Sequence, residues 1–177
     1  MSEILPLASL EFVPYVSDRG SLPDQFQGKV GVYAIFDATQ TLQFIGYSRD
    51  VYLSLKQHLV RQPHHCHWVK VQTSDRPSRT LLEQIREAWM AEAGGTPPGN
   101  DDPNNTWTQP IDITMQLTEA ERSLHATAID DMAKVKVLKT AARRVEAAVL
   151  KVLRDRGVTE DIRFNPKLKE TGLLDLK

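Results

Sequence analysis

The sequence predicts an α+β fold, a small mixed or antiparallel sheet flanked by helices and followed by a long helical C-terminal extension. Three observations predict it. Between Val30 and Ile45, two runs rich in β-branched and aromatic residues flank the polar stretch "DATQ", which is the pattern of a hairpin. From Ser48 the apolar residues Val51, Leu55 and Leu59 recur every four positions, one face of a helix. From Thr118 to Arg156 there is neither Pro nor Gly, so nothing in that stretch forces a helix to stop.

Each element has a local reason. Residues 1–28 carry Pro14 and Pro23 and read as an irregular lead-in, set off by Gly28. Val30 to Phe36 and Thr41 to Ile45 are the paired strands. Ser48 or Asp50 can cap the next helix, whose stripe is Val51, Leu55 and Leu59 and which ends before Pro63. "HWVKVQT" alternates as a third strand. Ser78 then caps a helix with Leu82, Ile85 and Trp89 inward, stopped by Gly94 and Gly95. "GGTPPGNDDPNNTW" is built of turn-forming types and reads as irregular chain. These signals place a domain over residues 29–112 and a helical extension over 113–177.

Composition bounds the function classes. A chain of 177 residues with 41% hydrophobic and 25% charged residues suits one domain plus an appendage. A net charge of -1 excludes an overall polycation. The single cysteine, Cys66, rules out an internal disulfide and points to a reducing, cytoplasmic compartment. No basic segment precedes an apolar run at the N-terminus, and no run of about 18 apolar residues occurs, so neither a secretory signal nor a membrane span is expected.

Within the hairpin, Gly31-Val32-Tyr33 and Phe44-Ile45-Gly46 stand at matched positions. Together with the order β-β-α-β-α and the downstream "PPGN", these residues resemble the GIY-YIG nuclease superfamily over roughly Gly28 to Asn105. "FIGYSRD", "PPGN" and "NNTW" are most similar to a divergent branch that includes the N-terminal portion of plastid monothiol glutaredoxins. No part of the chain resembles the glutaredoxin half.

The resemblance implies a nuclease that cleaves or nicks DNA with one divalent cation, Mg2+ or Mn2+. It implies Tyr33 as the residue that activates or orients water, His58 as an auxiliary base or phosphate contact, Glu87 as the metal ligand with Glu83 as its alternative, and Asn100 as a positioning residue. Arg49 and Lys56 are the nearby cations for substrate. In this reading Tyr33 and Phe44 project from one sheet face toward the helix that bears Glu87. Two departures weaken the chemistry. Phe44 lacks a hydroxyl, and Ser54 stands where the family's arginine stabilises developing charge, a loss that typically costs 10² to 10³ in rate. The alternative is a non-catalytic nucleic-acid- or protein-binding module on the same fold.

Plainer readings stand beside these. Tyr33 and Phe44 can be cross-strand aromatics that only stabilise the hairpin, and Glu83 and Glu87 a solvated helix face. "HHCH" at His64 to His67 has zinc-ligand residue types but no second ligand pair. In the extension, Thr118 and Glu121 form a capping-box signature. Leu124, Ala128, Val135, Leu138, Ala142, Val145, Val149 and Val152 follow an alternating three-four spacing, interrupted by Asp131, and make an apolar seam for their own domain or for a second copy in a homodimer. Between Lys134 and Arg156 eight Lys or Arg stand against Glu146 and Asp155, a basic face that can track phosphates or simply be solvated.

Overall fold

The computed structural model describes residues 3–177. It has two compact units: residues to Thr108 together with Gly157–Glu160, and Gln109–Arg156 together with Asp161–Lys177. The first unit contains β1 (Val13–Pro14), β2 (Gly31–Phe36), β3 (Leu42–Ser48), α1 (Val51–Arg61), β4 (Trp68–Thr73) and α2 (Arg79–Glu92). The strands form one antiparallel sheet in the order β1-β4-β2-β3. The α+β class is therefore the observed one, and the lead-in, rather than being irregular throughout, supplies the edge strand β1.

The hairpin turns where its sequence directs. The Asp37 carboxylate accepts from the amides of Thr39 at 2.9 Å and Thr41 at 3.0 Å, an Asx-type turn that frees the chain to reverse. Every residue of β2 is buried. A strand covered on both faces has no polar side to show, which is why its run is apolar without alternation.

Register decides what each face meets. Tyr33 lies opposite Gly46 and Ile35 opposite Phe44, so these four share a face, while Val32, Ala34, Phe36 and Ile45 point the other way. The second set packs with Leu7 against Leu82, Ile85 and Trp89 of α2. Tyr33 and Phe44 instead meet His58 of α1. The expectation that they face the helix bearing Glu87 is corrected here: they do share a face, and α2 covers the opposite one. Side-chain period reveals that a face is apolar without saying which helix will cover it.

Both helices begin on the predicted caps. Asp50 accepts from the Leu53 amide at 3.2 Å and Ser78 from the Leu81 amide at 3.1 Å, each satisfying a donor that has no partner inside the helix.

The second unit contains β5 (Ile111–Asp112), α3 (Glu119–Ala126), α4 (Asp131–Asp155), α5 (Pro166–Glu170) and β6 (Leu173–Leu174), with β5 and β6 paired antiparallel. Thr118 and Glu121 form the capping box. The helical run is not continuous. It ends at Thr127 and restarts at Asp130, whose side chain caps α4 by accepting from the Ala133 amide at 2.8 Å. An aspartate bonded to its own downstream backbone competes with helix continuation. Leu138, Ala142, Val145 and Val149 of the seam are buried with Ala141 and Leu153, and α4 packs on α3 and α5 within this unit. Leu124, beyond the break, is 60% exposed.

Candidate functional site

The site is built on the Tyr33 face of the hairpin. The Tyr33 hydroxyl and His58 Nε2 share a hydrogen bond of 2.7 Å. The Phe44 ring lies 4.7 Å from the imidazole, centroid to centroid, and stacks on Trp107 at 5.3 Å with the planes 2° apart. His58 is thus enclosed by three aromatic rings, and burial governs its chemistry. Desolvation, with the Arg61 charge as the second cause, lowers its pKa to about 3, and the Trp107 backbone offsets only part of this. Burial likewise raises the Tyr33 phenol well above its ordinary value, against smaller opposing effects of the Ser54 hydroxyl and Arg61. Both groups are neutral near pH 7, so the pair is a hydrogen-bonded wall rather than a poised base.

Trp107 arrives on a strap that crosses the open edge of the sheet. Asn100 Nδ2 donates to the Ile45 carbonyl at 2.7 Å while its Oδ1 accepts from the Ile45 amide at 2.8 Å, and the Gly99 amide donates to Gln43 O at 2.7 Å. One asparagine side chain reproduces the two bonds that a neighbouring strand would make. Farther along, Arg61 Nη1 donates to the Trp107 carbonyl at 3.2 Å and Gln62 Nε2 to Thr106 Oγ1 at 2.8 Å.

Between strap, hairpin and helices lies a cleft of about 430 Å3, lined among others by Tyr33, Gly46, Ser54, His58, Arg61 and Arg86. It has two guanidinium groups in its lining and no carboxylate. Arg86 stands over the Tyr47 ring at 5.3 Å, and its Nε is buried with no hydrogen-bond partner among the described residues. Arg61 follows Ser54 and His58 on one face of α1, a spacing readable in the sequence; Arg86 has no such signal, since it reaches the cleft only because α2 passes the β3 edge.

Of the residues expected at the site, the structure brings together Tyr33, Phe44, Ile45, Gly46, His58 and Asn100. Gly31 and Val32 belong to the same strand, but Val32 faces α2. Glu87 is exposed and does not line the cleft. Glu83 is held by Arg79 at 2.8 Å and by the Tyr47 hydroxyl at 3.1 Å, and these hydrogen bonds keep its carboxyl below the usual range. Arg49 and Lys56 are absent from the cleft lining. "HHCH" does not converge either. Cys66 is buried, its thiol donating to the His58 carbonyl at 3.6 Å, while His64 and His65 are exposed.

No family model matches the chain. It is 33% identical over 112 residues to a bifunctional monothiol glutaredoxin of the chloroplast of Arabidopsis thaliana, an alignment covering 61% of this chain and 34% of that protein. The chain resembles part of a plastid glutaredoxin. It spans about a third of the relative's length.

The glutaredoxin comparison corrects the functional expectation. The relative is named for thiol redox chemistry, and nothing in that name concerns phosphodiester hydrolysis or DNA, so the nuclease, hydrolase and DNA-binding assignments are withdrawn. The Mg2+ or Mn2+ assignment is withdrawn with them. Among the described residues no group of three or more His, Cys, Asp or Glu could hold a metal ion, and a cleft with two guanidinium groups and no carboxylate repels a divalent cation. Likewise, no helix among the described residues is long and apolar enough to cross a membrane. The relative's name gives a chloroplast location, not the expected cytoplasmic one.

Proposed function

We propose that the first unit is an anion-binding module, a divergent form of the GIY-YIG fold that works without a hydrolytic metal, and that its ligand is a small carboxylate- or phosphate-bearing molecule of the glutathione class. The observation that carries this is the presence of Arg61 and Arg86 together in a cleft that no carboxylate lines. Two guanidinium groups facing a cleft without a lining carboxylate offer an oxyanion charge-assisted bonds. The volume of about 430 Å3 lies within the ordinary range for small-ligand sites.

The two hairpin motifs and the element order support the GIY-YIG descent, and the relative's name supports a thiol-redox setting for the ligand. The thiol step itself is not assigned to this chain, whose one cysteine is buried. A reducing compartment suits that lone thiol.

Calorimetric titration of the full chain with reduced glutathione, and separately with orthophosphate, tests the reading. At least one should bind saturably, and Arg61→Gln or Arg86→Gln should each weaken it about tenfold or more, since a charge-assisted bond contributes about 1.5–3 kcal/mol. Absence of binding by both probes, or binding indifferent to both variants, overturns it.

A further inference from the structure

A second cavity, of about 560 Å3, shares Tyr47 with the first. It is lined by Val30, Tyr47, Pro77, Leu82, Arg49 and Arg79 together with Ser48 and Ser78. Its walls are mainly apolar, and no carboxylate lines it, so it is unsuited to a cation. Its hydroxyls are already engaged: Ser78 Oγ accepts from the Leu81 amide, and Ser48 Oγ donates to the Asp50 carbonyl while accepting from the Asp50 amide. A polyol therefore finds few partners.

The two arginines at the rim differ. Arg79 is paired with Glu83 at 2.8 Å. Arg49 is exposed and makes no hydrogen bond or ion pair with the described residues. It sits beside apolar walls with its charge unspent. The chemistry that matches this arrangement has one anionic head and an apolar body.

We infer that this cavity is a second ligand site, taking a small amphipathic carboxylate whose apolar chain lies against Val30, Tyr47, Pro77 and Leu82 and whose head pairs with Arg49. The site is separate from the Arg61–Arg86 cleft and does not depend on what that cleft binds. Burial of the chain supplies most of the affinity, at roughly 25 cal/mol per Å2 of apolar surface. The guanidinium selects carboxylate over alcohol or amine of the same length.

The test is methyl-resolved NMR of the full chain, with Val and Leu methyls labelled, titrated with decanoate, 1-decanol or decyltrimethylammonium below their aggregation limits. Decanoate should shift the Val30 and Leu82 methyl signals saturably and bind about tenfold tighter than decanol, with the ammonium weakest. Arg49→Gln, a surface change that leaves the core intact, should reduce decanoate to the level of decanol. Leu82→Trp should fill the cavity and abolish the shift at the Val30 methyls, while Lys56→Gln, outside both cavities, should leave the shifts unchanged. Decanol binding as tightly as decanoate, decanoate shifts unaffected by Arg49→Gln, or no saturable shift at these methyls would each overturn the assignment.

Discussion

Gly46 lies directly beneath the ring of Tyr33: a Cβ built at Gly46 would stand 2.7 Å from the phenolic oxygen and 2.8 Å from the ring carbon that bears it, with Phe44 equally close on its other side. Only a residue without a side chain lets the tyrosine fold over the neighbouring strand and reach His58. The glycine of the second motif is therefore explained by packing, and the chemistry of the cleft wall depends on it.

Replacing Gly46 by Ala tests this directly. The added methyl must displace the Tyr33 ring or the strand, an overpacking expected to cost about 1–3 kcal/mol in chemical denaturation. The NMR signature of the His58 hydrogen bond should be lost with it. An unchanged midpoint and an unchanged imidazole signal would refute the contact.

His58 makes stability depend on pH. Its pKa is lowered from 6.5 to about 3, so between those values the unfolded chain binds a proton that the folded chain does not. Stability must then fall as pH drops below about 6.5, by at most ~1.4 kcal/mol per pH unit from this group. His58→Gln should flatten the slope between pH 6 and 4 in denaturation midpoints measured across that window. Equal slopes in both proteins would show that the imidazole is not held neutral.

Asn100 ties the strap to β3 through both amide atoms. Asn100→Ala removes the pair and should cost about 1–3 kcal/mol, because the Ile45 groups lose their partners. Asn100→Asp keeps the acceptor for the Ile45 amide but sets a carboxylate against the Ile45 carbonyl. It should be at least as destabilising, although it is nearly isosteric. Urea midpoints of the three proteins decide between this account and simple loop filling.

In the second unit the restart of the helix at Asp130 gives a milder expectation. Asp130→Ala removes the α4 cap and should cost about 1 kcal/mol, seen as faster amide exchange in the first turn of α4. Glu121 adds a pH effect of its own. Its bond to Arg144 at 2.7 Å is the main cause that lowers its pKa from 4.5 to about 2, so its contribution is complete above 4.5 and lost as pH falls through about 2. Glu121→Gln should remove that loss below about pH 4.5 while leaving the His58 slope between pH 6.5 and 4.5 unchanged.

Much of this architecture was legible because it is local. The Asp50 and Ser78 caps, the inward positions Leu82, Ile85 and Trp89, and the common face of Tyr33 and Phe44 follow from spacings within a few residues. What failed was non-local. Which helix covers which sheet face depends on the crossovers, so Tyr33 and Phe44 face α1 rather than the helix that bears Glu87. Arg61 and Arg86 belong to different helices and converge only in three dimensions. The break before α4 has a visible signal, the interruption of the apolar spacing at Asp131, although the absence of Pro and Gly lets the sequence run as one helix. The motif resemblance located the cleft residues on the hairpin while pointing to a metal chemistry that the cleft's charges oppose.

The return of residues 157–160 to the first unit has a consequence for how the protein is made. Thr159 donates its amide to the Gly20 carbonyl at 2.9 Å and its hydroxyl to Arg19 O at 2.8 Å, and the Leu22 amide donates to Glu160 Oε1 at 3.0 Å. These contacts join segments almost 140 residues apart in order of synthesis. At ribosomal rates of about 5–20 residues per second, the loop of residues 19–22 emerges on the order of ten seconds before these partners exist. The nascent sheet, β1 included, is therefore complete while the loop of residues 19–22 still lacks these partners, and a chain released early, anywhere between Thr108 and Gly157, carries every strand of the sheet yet lacks the clasp on that loop.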